Sequence, residues 1–489
     1  MHFSRGMRQV VPIARECSTG VRAYALYVVC GGVLMTVLDA TIVAVALPSI
    51  AQQFDLGPSS SAWLVNSYVL SYGGLLVLSG RLSDIYAPRN IFLFGLAVFT
   101  LASLVCGLAS SYLMLLGARA LQGVGGAVVS SVSLALVTNL SSDAKERARA
   151  LGVYGLVCAC GGGLGEVLGG FVTTMLGWRG IFIINIPIGL IVFISCMLVL
   201  PRKSPPQMGR QLDIVGAFLI TSASALATYC LVNGATFGWS SAKSLASAVA
   251  VVMLVVCFLA VQACTRDPLI PPKFLRFRNF TTATLVAALW SSGTFAWFVM
   301  AALYLQRVLG YDALHVGLSF VPADVLVAGV SAGLSAKMVN RFGVRPLWLG
   351  FLLIAAGLAS FAYSRVDGSY VLDVLPGMLF LGFGGGMVSG PLLVAVMSEI
   401  DPADSGAASG VFNTVSTLGG ALGLAALTTL ATSTSSDELA AGAAGFSALN
   451  DGYHRAFVAA AFINVLAAIL SAFVLRLPSS ARMCAADGA

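Results

Sequence analysis

Gly80 to Asn90 reads GRLSDIYAPRN, a polar stretch between two apolar runs. A worn echo, AKMVNRFGVRP, spans Ala336 to Pro346. Each follows the second apolar run of a block of six. Each carries arginines that would sit on one side of a membrane. Two copies of one device predict two related six-helix halves, with each copy forming a polar hairpin between helices two and three of its half.

Working outward, the composition bounds the class. The chain has 489 residues, of which 58% are hydrophobic and 10% charged, with a mean hydropathy of +0.92. A water-soluble chain of this length could not hide that much apolar surface, so an all-α integral membrane protein is expected. The 53 glycines suit helices packed closely in lipid. The net charge of +7 lies in short loops rather than one patch, so no nucleic-acid partner is expected. Cys158 and Cys160 are two apart on a helix and cannot share a face, which excludes a metal pair there.

Apolar runs begin near Tyr24, Ser61, Ile91, Tyr112, Ala148 and Arg179, then Asp213 and Ser244, then Phe280, Leu314, Pro346, Tyr370, Asp404 and Gly452. By the length criterion these make about fourteen spans. The echo pairs the first six with the last six. The expected organisation is a tail over 1–23, a six-helix half over 24–200, a linker with two inserted helices over 201–264, a second six-helix half over 265–475 and a tail over 476–489. Lys and Arg crowd into the N-terminus and the loops after even-numbered helices, among them Arg81, Arg89, Lys145, Lys203 and Lys273. Few fall on the other side, where Arg179, Lys243, Arg307, Arg365 and Arg455 lie. Both termini are therefore expected in the cytoplasm.

Four ionisable residues lie deep in apolar runs: Asp39, Arg119, Glu166 and Asp324. At the helical rise they sit ~13, ~10, ~15 and ~15 Å from an outer helix end. All four then fall near the middle of a ~30 Å hydrocarbon layer. A charge there must face a partner or a water-filled cavity. Arg119 keeps its proton and needs an acid, for which Asp39 and Glu166 are the candidates. Such a pair suits either a static helix contact or a working site. Asp213 opens a helix and reads as a cap. His315 and His454 read as surface residues, and Asn185 and Asn413 as helix-packing groups.

Gly80, Leu82, Asp84 and Arg89 match the pattern G-x-L-a-D-r-x-G-r-k, so the first stretch resembles the loop between helices two and three of the major facilitator superfamily. Ile85 and Ala87 depart from it. The echo keeps Arg341, Gly343 and Arg345 but has Asn340 where Asp84 stands. LDATIVAVALPSIA from Leu38 and LGARALQGVGGA from Leu116 resemble the first- and fourth-helix signatures of the fourteen-helix drug/proton antiporter branch. Gly152, Gly161, Gly165, Gly169 and Gly170 match the antiporter motif of its fifth helix, with Glu166 in place of the motif's proline. WRGIFIINIPIG from Trp178, LDIVGAFLI from Leu212, DPLIPPKFLRFRNF from Asp267 and LYLQRVLGY from Leu303 also resemble this branch.

The resemblance implies a major facilitator fold with two inserted helices, fourteen spans in all. It implies a proton-coupled exporter of small amphiphilic or cationic compounds in the plasma membrane. Asp39, Arg119, Glu166 and Asp324 would couple substrate to protons. Asp84 and the rest of the two loops would form a cytoplasmic gate. The expected partners are a small-molecule substrate, protons and the lipid bilayer, and a monomer is expected. No cofactor, metal or catalytic residue is expected, since no GxxxxGK[ST], H-E-x-x-H or G-x-S-x-G occurs. Two alternatives stand beside this reading. One is a dedicated exporter of a single compound, and the other is a non-transporting sensor or assembly protein.

Overall fold

The computed structural model describes residues 19–140, 144–200, 213–237, 241–265, 268–270, 272–335, 338, 341, 346–400 and 405–475. Among them are fourteen long helices. The first six are α1 (Thr19–Phe54), α2 (Pro58–Ile85), α3 (Pro88–Gly107), α4 (Tyr112–Leu140), α5 (Ala144–Leu176) and α6 (Gly180–Ile183 continued by Asn185–Val199). Next come α7 (Ile214–Phe237) and α8 (Ala242–Cys264). The last six are α9 (Arg278–Leu303), α10 (Ala313–Val330), α11 (Leu347–Phe361), α12 (Leu375–Met397), α13 (Ser405–Ala440) and α14 (Gly445–Val474). Wider π turns continue α9 over Tyr304–Val308 and α10 over Ser331–Ser335, and one precedes α12 over Tyr370–Val374. Twelve helices of the described residues are long and apolar enough to cross a membrane, α11 being apolar but shorter. Their outer faces stay apolar, with Leu113, Leu198, Val252 and Phe473 exposed. Water does not tolerate such a girdle, whereas lipid does.

The helix ends have local causes. Asp55 takes the left-handed conformation, with φ 52, and stops α1. Gly57 is extended and Pro58 restarts the chain at the first position of α2, where a missing N–H costs nothing. The stretch Gly80–Asn90 departs from the hairpin expected of it. Helix α2 runs on to Ile85 and α3 begins at Pro88, so Tyr86 and Ala87 alone make the turn. A helix needs only its backbone bonds to continue past the end of an apolar run. Here the Tyr86 N–H still donates to the Leu82 carbonyl. The Asp213 carboxylate accepts from the Gly216 N–H at 2.7 Å and caps α7 as expected. It also accepts from Gln262 Nε2, so it ties α7 to the end of α8.

Packing sorts the helices. Helix α4 lies between α2 and α3, and α1 packs on α5, α4 and α6. In the second group α9 packs on α13 and α14, α11 on α12 and α14, and α10 on α12. The groups meet along two main seams, α5 with α10 and α2 with α13. In the repeat these are equivalent, each joining helix five of one group to helix two of the other. Helices α7 and α8 pack on each other, and α7 lies against both α2 and α13. The inserted pair therefore covers one of the two equivalent seams and leaves the other free of it.

Candidate functional site

Asp39, Arg119, Glu166 and Asp324 form two sites rather than one. The first is inside the α1–α6 group. Arg119 on α4 is 1% exposed, as is Asp39 on α1. Arg119 Nη1 donates to Asp39 Oδ2 at 2.5 Å and to Gln122 Oε1 at 2.8 Å. Asp39 Oδ1 accepts from Gln122 Nε2 at 2.7 Å and from Asn185 Nδ2 at 3.1 Å. Gln122 Nε2 also donates to Ser103 Oγ at 2.8 Å. The guanidinium lies over the Tyr68 ring, 4.4 Å from its centroid. Its Nε donates to the Leu64 carbonyl. The Tyr68 hydroxyl in turn donates to the Thr36 carbonyl.

Local structure places these groups. Helical spacing puts Arg119 and Gln122 one turn apart on α4, so both reach Asp39. Gly123 lets α4 approach α2, since a Cβ there would meet the Tyr68 carbonyl. Helix α6 breaks at Ile184 just before Pro187, whose ring removes a helical donor. Asn185, the residue after Ile184, is 3% exposed. An aspartate with three donors, one of them a guanidinium, is a hydrogen-bonded buried ion pair, of the kind that becomes costly when one partner is lost.

The second site lies on the α5–α10 seam. Helix α5 carries two close-packing faces about 100° apart. Gly161, Gly165 and Gly169 face Val37, Thr41 and Ile42 of α1. Gly163, Glu166 and Gly170 face α10. A Cβ on Gly170 would run into the Ala313 carbonyl, and one on Gly317 into the Glu166 carbonyl. The surroundings of Gly152 lie outside the described residues. Glu166 is 1% exposed and its carboxyl meets that of Asp324. Among the described residues, no donor reaches either oxygen of Glu166 or Asp324 Oδ2. The expectation of a second acid beside Arg119 is thus replaced. Asp39 takes the arginine, and Glu166 points a third of a turn away, across the seam.

The residues of the two loops expected to form a gate are placed in part. Gly80 sits in α2 against Ser131. Arg89 is buried and its Nη2 donates to the Met197 carbonyl at 2.9 Å, which joins α3 to the end of α6. Arg81 Nη2 donates to the Pro268 carbonyl at 2.7 Å. The Asp84 side chain, Asn340 and Gly343 lie outside the described residues, and Arg341 is exposed. His315 bonds Asp312 at the surface. His454 instead reaches the Ser364 carbonyl at 2.7 Å. Asn413 donates to Ser409 of its own helix. Ser103 and Cys106, which faces Gln122, are members of the first site that the sequence did not single out. Their one signal there was a small polar side chain at a helix–helix contact.

The Major Facilitator Superfamily model matches residues 29–424. The chain belongs to this superfamily. It is 35% identical to the "Cephamycin export protein CmcT" of Amycolatopsis lactamdurans, covering 94% of this chain and 93% of that protein. It is 33% identical to the "Puromycin resistance protein pur8" of Streptomyces alboniger, over 95% of this chain and 93% of that one. Among solved structures, a bacterial homologue of the human lysosomal transporter Spinster, in an inward-facing and occupied conformation, superposes with a TM-score of 0.69. That match has 16% identity and covers 93% of this chain and 97% of that one. It supports the superfamily fold. The family consists of multi-pass membrane transporters, and nothing in that assignment calls for enzyme chemistry.

Proposed function

We propose that this superfamily member is a proton-coupled exporter of small amphiphilic or cationic compounds, of the fourteen-helix drug/proton antiporter branch. The observation that carries the reading is the Glu166–Asp324 contact. It sets two acids side by side where the two helix groups meet, with no donor to Glu166 among the described residues. The drug and antibiotic export named for the relatives supports the substrate class. In this reading 24–200 and 265–475 are the two halves, 201–264 is the insertion and both termini are cytoplasmic. The halves rock about a site near the membrane centre. Inward proton flow drives export, since one charge crossing 100 mV supplies ~2.3 kcal/mol. Asp39 and Arg119 hold the first half together and orient Gln122. Glu166 and Asp324 exchange protons as the seam opens and closes. Asp84 and the basic residues around it close the cytoplasmic end.

A second reading is a dedicated pump for one compound, favoured by relatives such as the cephamycin export protein. The test is transport by purified protein in proteoliposomes, over a panel of dyes and antibiotics, with and without an imposed proton gradient. Gradient-dependent movement of several compounds is expected. Movement of one compound alone would favour the dedicated pump. Absence of any movement would refute both.

A further inference from the structure

The α5–α10 seam is built around its carboxyl pair. A Cβ at Gly163 would lie 2.5 Å from Asp324 Oδ2, so that glycine leaves the space the Asp324 carboxyl occupies. Gly170 and Gly317 bring the two backbones into contact on the other side of Glu166. Pro322, inside α10, removes one helical hydrogen bond close to Asp324 and lets this segment yield.

Among the residues whose side chains are described, the charged groups on the elements packed around the pair lie elsewhere. Arg119 holds Asp39. Arg179 binds Gln53 and the Ala109 carbonyl. His315 pairs with Asp312, and Arg365 with Asp373. Arg307 lies by Pro48, Gln52 and Asp55 near the end of α1. Two facing carboxylates in a largely buried seam repel strongly, and a single proton between them turns that repulsion into a hydrogen bond. The two groups therefore titrate as one unit.

We infer that Glu166 and Asp324 hold one proton between them, and that this proton fastens α5 to α10 as a latch between the two halves. When it leaves to water, the pair becomes two carboxylates and the seam parts. The inference rests on the exporter reading for its purpose but not for its measurement.

The experiment follows the full-length protein in lipid nanodiscs over a pH series, by infrared spectroscopy and by backbone hydrogen exchange. Wild type is expected to show the carbonyl band of a protonated carboxylic acid. Glu166→Gln and Asp324→Asn should each remove it. As the band disappears with rising pH, exchange over residues 161–170 and 313–330 should rise at least about tenfold beyond the intrinsic pH effect, because like charges now oppose the contact. In either variant an amide donates to the remaining carboxylate, so the exchange step should vanish. A folded wild type with no such band, or a band that titrates while seam exchange stays flat, would overturn the latch. Should one variant fail to fold, the other and the wild-type series decide it. Neither readout needs transport, so an inactive protein with a working latch would count against the exporter reading alone.

Discussion

Asp39 and Glu166 are both carboxylates with 1% of their surface exposed, yet they are buried on opposite terms. Asp39 has an arginine, a glutamine and an asparagine as donors. Glu166 has none among the described residues, and its neighbour is another acid. Asp39 sits where five helices of one group converge, and Glu166 where two groups meet. A buried charge with a full set of partners is a fixed part of a frame. A buried acid without partners must change its protonation or its surroundings, which is what a moving seam requires.

The contrast is most exposed to test at Arg119. Arg119→Met leaves Asp39 buried without its cation, and a loss of about 3–5 kcal/mol is expected. Thermal unfolding in detergent measures it, and wild-type stability would mean that Asp39 is not held by the pair. The next effect is at the seam. Gly170→Ala places a methyl against the Ala313 carbonyl, an overpacking of about 1–3 kcal/mol. It acts between groups rather than within one, so gradient-driven transport should fall more than folded yield. Equal losses in both would deny the seam a separate role.

A smaller effect is expected at the cap of α10, the helix that carries Asp324. The His315 N–H donates to Asp312 Oδ1 at 2.8 Å and holds this carboxyl below its usual range. Asp312→Ala should cost about 1 kcal/mol or less. Because the folded group is the stronger acid, its contribution is full above the ordinary aspartate range and fades as pH falls below it. Melting of the two proteins should thus converge in acid, and a gap that widens there would contradict the cap. The smallest change is the sharpest comparison with Arg119→Met. Glu166→Leu with Asp324→Leu replaces the two facing acids by apolar side chains and should alter stability by no more than about 1 kcal/mol. A loss as large as that of Arg119→Met would show that both acids are structural.

Much of this was legible in the chain itself. Mid-span depth alone picked out Asp39, Arg119, Glu166 and Asp324, because a charge in hydrocarbon is too costly to be accidental. Helical spacing put Gln122 beside Arg119 and the motif glycines on shared faces. Asp213 was legible as a cap, though its second bond to Gln262 was not, since 49 residues separate them.

What the sequence alone determined was therefore an inventory: helical spans, their glycine faces, and charges that had to find something. Which partner each charge found was decided by tertiary structure. The 100° step between Gly165 and Glu166 is written in the chain. That α1 packs on the first face and α10 on the second is not, because α10 lies about 150 residues away and is brought there by the packing of whole helices. That placement gave Arg119 to Asp39 and left Glu166 facing Asp324.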